Sequence, residues 1–249
     1  MRRELPAWTS LLMMGWLTVV LWLDRAAGGG GPWQQRGLGV LTWVVLASVL
    51  WRVSPMVRAQ TLVVVAFATT VEYVFSPTLE VYTYRFHNVP AYVPPGHGLV
   101  YLSAFALGHA AFVQRRIRTA MALTLLGLGL WAAYGVALAP RPDVLGAFWF
   151  GCLLLFALLG PSRPVYVGAA VVVTWLEVVG THVGTWEWGL HDPTGWVSIG
   201  NPPSGAAGGY GWFDLAALLA APALLRLWGG RGPADVTARP AEPEPVDAS

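Results

Sequence analysis

Residues 58–84 read RAQTLVVVAFATTVEYVFSPTLEVYTY, and residues 164–188 read PVYVGAAVVVTWLEVVGTHVGTWEW. Each stretch opens with an apolar run of the length that crosses a bilayer core, roughly 17–25 residues. Each carries one Glu near the end of that run, then a short polar passage, then an aromatic-x-aromatic triplet. Thr69, Glu72 and Ser76 are spaced by three and then four residues, and so are Thr174, Glu177 and Thr181. Such spacing puts each trio on one helical face. Downstream, Tyr82-Thr83-Tyr84 matches Trp186-Glu187-Trp188, and Pro94-Pro95 matches Pro202-Pro203, at offsets between 104 and 108 residues.

The rest of the 249-residue chain agrees with a membrane reading. It is 55% hydrophobic and only 11% charged, whereas a soluble domain is about one quarter charged. Too few ionisable groups remain to coat a water-facing globule. Eight apolar segments are expected to span, at about 7–23, 37–53, 58–76, 98–114, 119–138, 144–160, 164–181 and 212–228, which predicts an all-α polytopic protein. The first follows Met1-Arg2-Arg3, but its length and the Asp24-Arg25 stop favour a retained helix over a signal peptide. Short loops rich in Arg stay cytoplasmic. With both termini inside, eleven arginines (2, 3, 52, 58, 115, 116, 118, 163, 226, 231 and 239) fall on the cytoplasmic side and four (25, 36, 85 and 141) outside. This predicts a bacterial plasma-membrane protein with both termini cytoplasmic. Residues 1–228 form the helical domain. The Pro-, Ala- and Glu-rich segment 229–249 reads as a disordered cytoplasmic tail.

The arginines are scattered singly rather than gathered on a face, and there is no Lys, so nucleic acid is not an expected partner. Cys152 is the sole cysteine, which removes intrachain disulfides and cysteine zinc sites and reads as packing. The expected partners are the bilayer and a lipid or isoprenoid substrate, with no cofactor or metal. Protein partners are not specified.

Two loops, about 77–97 and 182–211, are far longer than ordinary connections and dense in Gly, Pro, Trp and Tyr. Together with the matched trios they predict a parallel repeat of two four-helix halves, with the carboxylates meeting in a chamber at the outer side. An ionisable side chain inside a span is costly by a few kcal/mol, and burial disfavours its charged form. Glu72 and Glu177 are therefore the first catalytic candidates, one as proton donor and the other as base. The competing reading has each Glu simply bonding a neighbouring helix or meeting interfacial water. Glu80, in the first loop, and Asp214, near the start of the last span, are further catalytic candidates; Asp214 also suits a helix cap. Tyr82, Tyr84, Trp186 and Trp188 offer π-faces that attract cations at ~0.5–2 kcal/mol each, a property that suits chemistry through a carbocation. The same aromatics also fit an interfacial belt.

The segments Glu72-Tyr-Val-Phe-Ser-Pro-Thr-Leu-Glu-Val-Tyr-Thr-Tyr84, Val89-Pro-Ala-Tyr-Val-Pro94, Trp175-Leu-Glu177, Gly184-Thr-Trp-Glu-Trp188 and Gly200-Asn-Pro202 resemble the carotenoid-biosynthesis membrane protein family that includes bisanhydrobacterioruberin hydratase. The resemblance covers about 70 residues in two blocks. The chain departs from that pattern at Glu177, where the family has Asp, in lacking Pro-Phe-Gly ahead of Tyr-x-Tyr, at Asn201 before its Pro, and at His97 within Pro-Pro-Gly-His-Gly. The resemblance implies addition of water across a terminal double bond of a long polyene without a redox cofactor. Tyr82, Tyr84, His97, Tyr101, His182, Trp186, Trp188 and Asn201 are the candidate substrate contacts.

Two other classes remain open. Intramembrane carboxylates and parallel repeats also suit a proton-coupled transporter or lipid-binding protein. His97, His109, His182 and His191 raise a metal-dependent lipid hydrolase, although no His-x-x-x-His or His-Glu-x-x-His is present. His109 near an Arg-rich end reads as interfacial, and His87 and His191 as solvated loop residues.

Overall fold

The computed structural model describes residues 5–227 and 229. Over these, the chain forms nine helices and a two-strand ribbon: α1 Ala7–Leu23, α2 Pro32–Leu50, α3 Pro55–Phe75, β1 Tyr82–Tyr84, α4 Val93–Gly108, α5 Ala111–Gln114, α6 Ile117–Ala137, α7 Val144–Leu159, α8 Arg163–His182, β2 Trp186–Trp188 and α9 Ala206–Leu227. Proline stands in the first turn of α2, α3, α4 and α8, where its missing N–H has no helical partner to lose. Ser54 caps α3 by accepting from Val57 N, and Asp143 caps α7 by accepting from Gly146 N. The tail expected over 229–249 lies outside the described residues apart from Gly229.

The eight apolar segments fall on helices, 98–114 on two of them, but among the described residues only four helices, α3, α6, α8 and α9, are long and apolar enough to cross a membrane. The expected eight is therefore corrected to four by this measure. α1 and α7 are apolar but only 17 and 16 residues long. The first turns of α2 spend residues on Gln34, Gln35 and Arg36. The segment 98–114 breaks at His109–Ala110 into α4 and the four-residue α5.

α4 and α8 form the centre: all but three residues of α4 are buried, and the two helices pack against each other. A Cβ on Gly168 would overlap the Ala104 carbonyl oxygen, so glycine is what lets the two backbones approach. α3 packs on α4 and α9, and α9 packs on α3, α7 and α8. α6 is the most peripheral, presenting Leu123, Leu126, Leu130 and Leu138 outward. The expected division into four helices plus four does not describe this packing. α1 lies on both α4 and α8, whereas α6 contacts α7 and α8, so the outer helices are arranged differently on the two sides.

The long loops are structured rather than loose. β1 and β2 pair antiparallel with Tyr82 opposite Trp188, Thr83 opposite Glu187 and Tyr84 opposite Trp186. Because strand side chains alternate, the four aromatics share one face of the ribbon and are buried, while Glu187 on the other is exposed. Arg141 ties this ribbon down by donating to the carbonyls of Trp188, Gly189 and Ile199. Asp143 does the same for the following loop, accepting from Gly200 N and Ser204 N at 2.8 and 2.7 Å.

Candidate functional site

Under the aromatic face of the ribbon lies a cavity of about 330 Å³. α3 contributes Glu72, α8 contributes Glu177, and the ribbon contributes Tyr82, Tyr84, Trp186 and Trp188. α4 adds His97 and α9 adds Tyr210 and Phe213. No Arg lines it.

Each carboxylate takes its hydrogen bonds from the strand that follows its own helix. Tyr82 and Tyr84 donate to Glu72 Oε2, both at 2.9 Å. Trp186 and Trp188 donate their indole N–H groups to Glu177 Oε2 at 3.1 and 3.0 Å. The aromatic-x-aromatic spacing is what allows this: residues two apart on a strand point the same way, so both reach one oxygen. Gly180 is part of the arrangement on the α8 side, because a Cβ there would occupy the position of the Trp186 ring.

The two acids differ in their remaining neighbours: Glu177 has the Tyr210 phenol beside it, and Glu72 has His97. Glu72 Oε1 lies 2.7 Å from His97 Nε2, both residues being buried, which gives Glu72 three partners in all. His97 Nδ1 is buried with no partner among the described residues. Its ring stacks at a tilt against Tyr210, with centroids 5.3 Å apart, and meets Phe213 edge-on. Burial, followed by the charge of Glu72, pushes the Tyr82 and Tyr84 phenols well above their ordinary value. Both therefore stay neutral and act as donors.

Several candidates stand elsewhere. Glu80 is exposed, with a left-handed backbone at φ 51° in the turn between α3 and β1. His182 is exposed at the end of α8. Asn201 is exposed, and its Oδ1 accepts from Trp188 N at 3.2 Å, so it positions β2 from outside the cavity. Tyr101 is one turn beyond His97 on α4 and donates to Gln60 Oε1 at 3.0 Å. Asp214 is buried at the ninth position of α9, one turn beyond Tyr210, and does not line the cavity; the helix-cap reading fails because α9 begins at Ala206. Thr69 and Thr181 bond back to the carbonyls of Val65 and Glu177 on their own helices. His87, His109 and His191 are exposed. Among the described residues, no three His, Cys, Asp or Glu side chains gather as metal ligands. Tyr210, Phe213 and Trp149 line the cavity although sequence reasoning missed them. The one signal was helical spacing, since Tyr210 and Asp214 are four apart.

Comparison of the chain with family models, with curated proteins and with solved structures returns no match.

Proposed function

We propose that the chain is an integral membrane enzyme that adds water to a double bond of an isoprenoid or carotenoid lipid by proton transfer from a carboxylic acid. The observation that carries this reading is the convergence of Glu72 and Glu177, both buried, on one aromatic-walled apolar cavity. Two carboxylates and one imidazole without an Arg hold more negative than positive charge in an apolar surrounding, which favours a proton on one acid.

We assign the roles from the partners that each acid has. Glu72, facing two phenols and the His97 imidazole, is assigned to orient His97. Glu177, which receives two indole N–H groups and has the Tyr210 phenol beside it, is assigned as the acid. Its proton passes to the terminal carbon of the double bond, and the resulting cation faces the rings of Tyr82, Trp186 and Trp188. Water attacks the cation, and His97 Nδ1 takes the proton released, with Nε2–H held by Glu72. That tautomer is assigned from the network. Return of the proton from His97 to Glu177 completes the cycle, so the net change is one water added. Phe67 and Trp212 line the cavity and are also exposed on the outside of the bundle, which suits a substrate whose end enters from the lipid while its length stays there.

Internal duplication is part of the proposal, limited to α3–β1–α4 and α8–β2–α9; its support is the ribbon pairing about Thr83 and Glu187 and the matching carboxylate partners. Both termini are proposed to be cytoplasmic in a bacterial plasma membrane, on the distribution of Arg.

Expression in a host that accumulates an acyclic carotenoid is expected to give a product heavier by one water. Glu177→Gln keeps an acceptor for the indoles and loses the acid, so product formation should fall by roughly 10²–10⁴-fold with Tm close to wild type. Unchanged product from Glu177→Gln and Glu72→Gln would remove both from the chemistry. A proton-coupled carrier is the second reading, favoured by the buried carboxylate of Asp214 in the middle of α9.

A further inference from the structure

Beyond the chamber, one helical turn along both α4 and α9, lies a second polar group. Tyr101 follows His97 by four residues and Asp214 follows Tyr210 by four, so each lies on the same helical face as the chamber residue before it. Asp214 is 4% exposed and its Oδ2 has no partner among the described residues. Tyr166 of α8, 1% exposed, likewise has an unpartnered Oη. Tyr101 packs in one cluster with Val165, the neighbour of Tyr166, and with Phe213 and Ala217 on either side of Asp214.

The group has oxygens and no positive charge. α9 packs against α3, α7 and α8. The buried polar or titratable groups that those helices and α4 carry are Gln60, Thr61 and Glu72 on α3, His97, Tyr101 and Ser103 on α4, Cys152 on α7, and Tyr166 and Glu177 on α8; the one base among them, His97, is bonded to Glu72. A buried carboxylate without a counter-charge is strongly disfavoured, and one negative charge calls for one positive charge. Oxygen ligands without His or Cys in the set suit a proton or a hard alkali cation rather than a transition metal. We infer that Asp214, with the phenol oxygens of Tyr166 and Tyr101, forms a site for a single monovalent cation, H⁺ or Na⁺, one turn beyond the chamber.

The test needs no substrate, so it is independent of the hydratase reading. Thermal unfolding of the full chain in nanodiscs is followed in NaCl, KCl and choline chloride at equal ionic strength, and then across a pH series. For sodium, Tm of the wild type rises by roughly 2–4 °C in NaCl over the other two salts, and Asp214→Asn abolishes the difference. For a proton, the three salts give the same Tm, wild-type Tm falls as pH rises, and Asp214→Asn flattens that fall. Tyr166→Phe keeps the ring and removes one oxygen, and it is expected to move the midpoint of whichever response the wild type gives. Asp214→Asn tracking the wild type in both series overturns the site. Should that variant fail to fold, an unmoved midpoint in Tyr166→Phe overturns it as well.

Discussion

At the residue scale, the chamber depends on side chains that bring hydrogen-bond donors to buried acids. Glu72 holds two phenols and an imidazole, and Asp24 holds Arg85, Gln35 and Tyr92 at 2.8, 2.7 and 2.6 Å. The phenols of Tyr82, Tyr84 and Tyr92 are all pushed well above the ordinary value, first by burial and then by the carboxylate each faces. For these groups the folded state holds the proton more tightly than the unfolded chain. Their contribution to stability is therefore complete below about pH 10, the ordinary tyrosine value, and is lost as pH climbs above it. Tm measured from pH 8 to 11 should fall more steeply for the wild type than for the Tyr82→Phe/Tyr84→Phe pair. Parallel curves would mean that these phenols ionise as freely in the folded protein as in the unfolded one. Glu72, Glu177 and the four aromatics were legible in the sequence because spacing of three, four and two residues reports which side chains share a face. His97 was found as a residue but not as the partner of Glu72, since a bond between α3 and α4 has no local signature.

At the scale of elements, loops that looked irregular are pinned by a few charged groups. Asp24 at the end of α1 joins α2 through Gln35, and the segment leading into α4 through Arg85 and Tyr92. Asp24→Ala would leave the partly buried Arg85 without its counter-charge and two further donors without an acceptor. Breaking one side of a buried pair costs about 3–5 kcal/mol. Denaturant or thermal unfolding of Asp24→Ala is expected to show a loss in that range, and a change under about 1 kcal/mol would mean that water replaces the carboxylate. Asp143 does comparable work on the other side, joining α7 to the loop before α9 through three backbone N–H groups. Neither role could be read from the sequence. Both acids stand in short stretches between helices, where an Asp reads equally well as solvated.

At the scale of the whole molecule, an exterior rich in exposed Leu, Phe and Trp surrounds an interior that holds Asp24, Glu72, Asp143, Glu177 and Asp214, an arrangement suited to a lipid surrounding. Trp33, Trp51 and Trp196 are among the most exposed residues and lie at the ends of α2 and in the second long loop, where amphipathic rings suit a membrane interface. The proposed orientation puts position 196 outside and position 116 inside. In a Cys152→Ala background, an impermeant maleimide added to intact cells is expected to label Trp196→Cys at once and Arg116→Cys only after permeabilisation. The opposite order would invert the topology. The sequence alone determined the helical class with apolar helices suited to a membrane, and the shared faces of Glu72, Glu177 and their aromatic triplets, because hydropathy, helical period and strand alternation are local properties carried by neighbouring residues. Tertiary structure decided how many helices are long enough to span, that the outer helices break the expected symmetry, that His97 and Tyr210 join the chamber, and that Asp214 stands apart from it. Those outcomes depend on which helix faces meet and on close approaches such as Gly168 against Ala104. Contacts between residues distant in the chain fix them, and no window of sequence records those contacts.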